Sequence, residues 1–377
     1  MDFTFTEEQQ AAAEAARGVF AGVAPDTVPS PALTPGAVAD DFDRPLWGRL
    51  ADADLLSLLL AEEYGGAGLD AVALCLVLRE SAKVLARVPL LENSAALAAV
   101  QTYGSPELKS ELLTRAGRGE VVLTVAAHGR TGHDPAELAV TARQDGAGWV
   151  LDGVQTAVAW AYDADLVVVP ARTAADRTVL ALVPRGAEGV SLGEQFSTSG
   201  ERLGELRLDS VGLAARDVVD AEGAWEWLRE LLATGTCALA LGLGERVLGM
   251  TSEYAGKREQ FGHPIATFQA VAVQSADRFI DLRAMEATLW QAAWRIASGA
   301  PGALPAAADV AVAKTWASEG VRRVVQTAQH LHGGFGADVD YPLHRYHAWA
   351  KHLELALGPA AAHEEALGEL LAAHPLA

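Results

Sequence analysis

Arg258-Glu-Gln-Phe-Gly-His-Pro-Ile-Ala-Thr-Phe-Gln269 is the stretch that decides the fold of this 377-residue chain. Gly262 and Pro264 interrupt helical texture, so the stretch reads as a turn between two long helices. Arg258 closes the first helix and Gln269 stands near the start of the second. A guanidinium presents a planar fork of donors that matches a diphosphate with two parallel charge-assisted bonds. Further on, His332-Gly-Gly-Phe-Gly-Ala-Asp-Val-Asp-Tyr-Pro342 holds Gly333, Gly334 and Gly336. Glycines allow a backbone to approach a ligand closely.

Helical texture surrounds both stretches. Ala238–Lys257, Phe268–Ser298, Ala306–His332 and Tyr346–Ala373 are Ala-rich with intermittent Leu and Val, which predicts four closely packed long helices. Residues 1 to about 120 also read as helical. Thr6 precedes a Glu- and Ala-rich run with Gln9 three residues later, the spacing of a capping box. Trp47–Leu60 and Ala71–Leu85 carry apolar residues three and four apart and predict two helices, separated by Gly65-Gly66-Ala-Gly68. Residues 24–40 hold four prolines and predict a loop. From Val121 the texture changes to short β-branched runs punctuated by Gly, Asp and Pro. They are Val121–Val125, Leu138–Arg143, Gly148–Gly153, Leu166–Val169, Thr178–Val183 and Leu206–Leu208, and they predict a small antiparallel barrel or sandwich. The expected organisation is α+β, mainly α: a helical domain at 1–120, a β-barrel-like domain at 121–222, and a four-helix domain at 223–377.

Composition excludes several functions. Asp and Glu outnumber Lys and Arg by 49 to 29, a net charge of −20, so no nucleic-acid partner is expected. The two cysteines, Cys75 and Cys237, sit among Ala and Leu and read as buried apolar side chains rather than a disulfide framework. The longest uncharged apolar run, Leu231–Leu243, is too short to span a bilayer, so no membrane is expected. The first residues lack the basic-then-apolar order of a signal peptide, and a cytoplasmic location is expected. Five of the ten histidines fall between His330 and His352. His344, His347 and His352 converge only partly on a helix face, so no metal site is expected.

The Arg258 and His332 stretches resemble signatures of the acyl-CoA dehydrogenase family. The order helices, β-domain, four-helix bundle is similar to that fold over essentially the whole chain. The resemblance implies FAD as cofactor and an acyl-CoA as substrate, desaturated between its α and β carbons. It also implies an electron-transfer flavoprotein as acceptor. Arg258, Gln260, Phe261, Gln269, Gly333 and Gly334 match residues that meet the ADP half of FAD in the family. His330 stands where the family usually has Gln, with Gln329 beside it.

Other family motifs are eroded. The loop that meets flavin and substrate corresponds to Ala127-His-Gly-Arg-Thr-Gly-His-Asp134, which keeps Gly132 and Asp134 but has His133 in place of a serine. A Trp-Ile-Thr run that meets the flavin ring corresponds to Ala157-Val158-Ala159. Abstraction of an α-proton needs a carboxylate within hydrogen-bond reach of the carbon acid. The usual position of that base reads Leu357. The alternative position in a minority of members reads Leu232, followed by Ala233 where Arg is common. Glu354, one helical turn before Leu357, is the fallback base, and Glu230 is a weaker one. The chain keeps the ADP-side residues and lacks those of the flavin side. It is therefore similar to the smaller, base-less subunits of actinobacterial two-subunit acyl-CoA dehydrogenases, some of which act on steroid side chains. The expectation is a hetero-oligomer in which this chain lends half a cofactor site. A redox-silent structural or regulatory subunit is one alternative. A non-redox thioester enzyme using His133 or Asp134 is the other.

Overall fold

A computed structural model describes residues 4–25, 34, 37–39, 42–131 and 137–374. Most of the loop expected at 24–40 lies outside the described residues, as do Gly132, His133 and Asp134. Helix α1, Glu7–Phe20, starts with the expected capping box. Gln9 N–H donates to Thr6 Oγ1 at 3.2 Å and Thr6 N–H to Gln9 Oε1 at 3.0 Å. Such caps contribute roughly 1 kcal/mol. Gln9 also donates to both Asp70 oxygens at 3.1 Å, and Asp70 caps α3, Ala71–Ala82. Helices α2 (Arg44–Asp52), α4 (Leu90–Tyr103) and α5 (Pro106–Gly117) complete this first layer.

The helix expected over Trp47–Leu60 ends at Asp52. Asp54 has a left-handed φ of 55°, and the leucines beyond it pack through turns. Their apolar spacing reflects burial rather than helical phase: Leu55, Leu56, Leu58 and Leu60 are all buried.

The central sheet runs β6-β7-β3-β2-β4-β5-β8, with β1 beside β4. Its strands are β1 Leu123–Val125, β2 Val140–Asp145, β3 Gly148–Ala159, β4 Leu166–Thr173, β5 Thr178–Pro184, β6 Val190–Phe196, β7 Arg202–Ala214 and β8 Val218–Val219. Most pairs are antiparallel, but β1 and β2 both meet β4 in parallel, so the sheet is mixed. Strand β6 was not anticipated, because its half-exposed pattern carries little hydrophobic alternation. β3 has register shifts between Leu151 and Gly153 and between Gln155 and Val158. Such bulges bend a strand and re-aim its side chains, here just before the Ala157–Ala159 segment.

The last layer begins at the expected domain bound near 223, and its first helix, expected at Ala238–Lys257, is longer: α6 runs Ala224–Lys257. A charge-poor window of this helix is long and apolar enough to cross a membrane, which corrects the reading of Leu231–Leu243 as too short; 78% of that window is buried inside the fold. Packing of α3, α4 and further helices against α6 accounts for its apolarity. The hairpin β9–β10 (Glu259–Gln260, His263–Pro264) leads to α7, Gln269–Ser298, and then α8, Ala306–His332. The helix expected at Tyr346–Ala373 is two: α9, Leu343–Leu355, and α10, Ala360–Ala373. Gly358-Pro359 breaks it, since proline lacks an N–H and disfavours helical backbone in the residue before it.

Candidate functional site

Two regions gather the residues singled out in the sequence. The first is a cavity of about 120 Å³ between α3, α4, α6, α9 and the end of β3. Leu232 on α6 and Leu357, just past α9, both line it, with Ala127, Ala157 and Ala159. The two positions at which a base was expected thus converge on one wall, and both are leucines exposed by only 3% and 6%. Leu357 is left-handed, φ 57°. That conformation costs a non-glycine residue roughly 1–2 kcal/mol, offset here by burial of the side chain.

Glu354 does not line this cavity. Helix α9 ends at Leu355, so Glu354 and Leu357 do not share a helix face, which corrects the spacing argument for the fallback base. Its carboxylate pairs with Lys351 Nζ at 2.7 Å. Glu230 is also absent from the cavity wall.

Five titratable residues line the cavity. Glu201 pairs with Arg87 and Arg202 with Glu194. Of the other three, Glu92, His128 and His352, only His352 had been singled out, as a metal candidate. Burial pushes the Glu92 carboxyl up to about 7, against an opposing hydrogen bond from Trp160. Burial takes His128 and His352 down to about 4, with the Lys314 charge adding to the effect in each. At neutral pH both imidazoles are therefore uncharged. In sequence, Glu92 looks like an ordinary first-turn glutamate of α4. The signal that could have found it is its place in the otherwise apolar run Pro89-Leu-Leu-Glu-Asn-Ser-Ala-Ala-Leu97.

The β3 end of the cavity is already engaged within the chain. Ala157 N–H donates to Gln195 Oε1 at 2.8 Å. Trp160 lines the cavity and meets Phe42 edge-on at 6.1 Å. Sites for drug-sized ligands run to roughly 300–1,000 Å³, well above this cavity. The residues here do not fit a flavin ring with an acyl chain stacked on it: no hydroxyl stands at 127, 157 or 159, and no carboxylate at 232 or 357.

The second region lies at the far end of α6. Arg258 is exposed, and its side chain makes no hydrogen bond or ion pair among the described residues. Gln260 and Gln269 are exposed too, the latter opening α7. Phe261 sits on the tip of the β9–β10 hairpin, 91% exposed, with φ 54°. Its ring meets Phe268 edge-on at 6.3 Å. Arg258 lines a more open cleft of about 420 Å³ with Arg246, Lys257, Phe335 and Tyr341. Behind it His332 stacks on Tyr254 at 4.3 Å.

Gly333 ends α8 with φ 62° and ψ −140°, a conformation that glycine adopts at little cost. An added Cβ at Gly333 or Gly334 would meet nothing within 4 Å, so their backbone is open to a ligand. Gly336 differs from its expected role. It is buried, and a Cβ there would press on Gln329 at 2.9 Å, so its smallness serves packing. Gln329 Nε2 donates to Gly333 O at 2.9 Å, which leaves His330 as the exposed neighbour. Cationic donors, an open glycine backbone and an exposed aromatic fit the ADP end of FAD. Among the described residues no group of three His, Cys, Asp or Glu could hold a metal ion.

Comparison with known proteins identifies the family and the fold. Residues 6–120, 125–211 and 230–371 match the N-terminal, middle and C-terminal domains of acyl-CoA dehydrogenase. The chain is 38% identical to the acyl-CoA dehydrogenase FadE27 of Mycobacterium tuberculosis over 386 residues, covering all of both chains. Among solved structures it matches a chain of the ChsE4-ChsE5 complex from Mycobacterium tuberculosis with TM-score 0.90 and 37% identity, covering 100% of each. A variant of the Tcur3481-Tcur3483 steroid ACAD matches with TM-score 0.88 and 37% identity, covering 97% of this chain and 98% of that one.

Proposed function

The chain belongs to the acyl-CoA dehydrogenase family, a family of FAD-dependent oxidoreductases, and from that premise we propose that it is one subunit of a two-subunit enzyme. In this reading it lends the ADP end of a FAD site to a catalytic partner and supplies no base of its own. When bound, FAD supplies the two-electron acceptor for α,β-desaturation of an acyl-CoA. Arg258 holds the diphosphate by paired charge-assisted bonds. The open backbone at Gly333 and Gly334 approaches it, and Gln260, Gln269, Phe261 and His330 border it. A proton leaving the α carbon needs a carboxylate, and that carboxylate comes from the partner.

The observation that carries this reading is the contrast between the two regions. Leu232 and Leu357, both lining the cavity, put no carboxylate at either expected base position, while Arg258 stands exposed with no side-chain partner among the described residues. The similarity to a chain of the ChsE4-ChsE5 complex supports a hetero-oligomer, and that to the Tcur3481-Tcur3483 steroid ACAD supports a steroid acyl-CoA as substrate class. An electron-transfer flavoprotein is the proposed acceptor, and the proposed location is the cytoplasm.

One observation favours a second reading, a self-contained thioester enzyme. Glu92 in the cavity, pushed up to about 7, has the tuning expected of a general acid or base. Purification of the chain alone separates the two. The half-site reading predicts a colourless protein that gains FAD only with a partner subunit. A yellow single chain that bleaches with an acyl-CoA, and loses this with Glu92→Gln, would establish the second reading instead.

A further inference from the structure

Lys314 is the buried charge that neither region above explains. It lies on α8 with no exposed surface. An ammonium has three hydrogens to donate, and burying it is costly unless all are used. Its Nζ reaches Ser318 Oγ at 2.8 Å, Gly358 O at 3.0 Å, Glu354 O at 3.2 Å and Leu353 O at 3.4 Å. Two of these acceptors are last-turn carbonyls of α9, which have no partner inside their own helix. Ser318 Oγ adds a bond to Glu354 O at 3.0 Å. From the other side, His363 of α10 meets Leu357 O at 2.9 Å through Nε2. The four-residue joint Ala356–Pro359 is therefore pinned from α8 and from α10, and it carries the left-handed Leu357 into the cavity wall.

We propose that Lys314 is the positioning residue for position 357, fixing the joint between α9 and α10 so that side chain 357 faces the cavity. An apolar side chain of similar length would fill the same space, so packing alone does not call for a lysine. What the ammonium adds is direction: it draws carbonyls 353, 354 and 358 to one point and so sets the path of the backbone between them. The significance of position 357 rests on the family reading above, whereas the contacts themselves do not.

The test uses the full chain with a reporter thiol at the position in question. Cys75 is buried and serves as the internal control for global opening; Cys237, whose thiol feels the Lys314 charge, is replaced by Ala in the background. In the Leu357→Cys variant, a small thiol reagent should label position 357 slowly. Adding Lys314→Met should speed labelling there by about tenfold or more, as expected when a charge-assisted bond is lost, with Cys75 unchanged. An unchanged rate at 357 overturns the proposal, and so does a common acceleration of both cysteines. If Lys314→Met does not fold, Ser318→Ala in the same background replaces it. About threefold faster labelling at 357 alone then supports the proposal, and no change overturns it. The readout needs neither FAD nor a partner, so its failure and that of the half-site reading are separable.

Discussion

The cavity behind Leu357 and the turn around Arg258 belong to one fold but have been shaped in opposite ways. The cavity is small and closed, and its polar groups are bonded inward or held neutral. The turn is open: Arg258 and Phe261 are exposed, and no side chain covers Gly333. An enzyme complete in itself would need both regions equipped. On the proposed reading, binding and chemistry are carried by separable parts of this fold, with the turn serving a neighbouring subunit.

Acid tests the packing around the cavity and the α9–α10 joint, where several histidines are held neutral by burial. His128, His352 and His363 sit near 4 in the folded state, lowered chiefly by burial, against 6.5 as ordinary histidines. Between those values the unfolded chain binds more protons, so stability present above pH 6.5 is lost as pH falls toward 4. Glu92 works the other way: near 7 when folded and 4.5 otherwise, it binds its proton in the fold and adds stability as pH falls through that window. The histidines outnumber it, so a net loss on the order of 5 kcal/mol is expected by pH 4. Melting temperatures from pH 7 to pH 4 check this, and a flat profile would mean that these groups are solvated.

Arg258→Ala should leave that profile unchanged and lower the affinity of the mixed oligomer for FAD about 10- to 100-fold, the effect of losing charge-assisted bonds. Equilibrium dialysis reads it directly, and unchanged flavin content would remove the turn from the cofactor site. Phe261→Ala should weaken assembly with the partner by about tenfold. It should not change the melting temperature of the single chain, because the ring is 91% exposed; sedentation of the mixture at several concentrations, by ultracentrifugation, measures the assembly. The smallest effect is expected from Glu92→Gln. Flavin content of the mixed oligomer should change less than about twofold, since the residue lies outside the region to which the proposal assigns the cofactor. A large loss would join the two regions into one site.

Local chemistry and family register were legible in the sequence; the shape of the chain between them was not. The Thr6–Gln9 capping box could be read because both partners lie within one turn. That Leu232 and Leu357 line one cavity followed from register with the family, although 125 positions separate them. The α9–α10 break was read through, even though Gly358-Pro359 announces it, because apolar spacing continued on both sides. At Leu55–Leu60 the same spacing came from burial in turns. Glu92 stayed hidden because a carboxylate in the first turn of a helix suits the helix dipole wherever it points. Only the packing of Trp160 against it reveals the cavity it faces.

The most direct test of the central claim is FAD stoichiometry, from the visible spectrum and native mass of this chain alone and then with a neighbouring dehydrogenase subunit. The account predicts a colourless single chain and about one FAD per pair of unlike subunits, in line with one equipped cavity per pair. One FAD per subunit in the chain alone, bleached by an acyl-CoA, would contradict it.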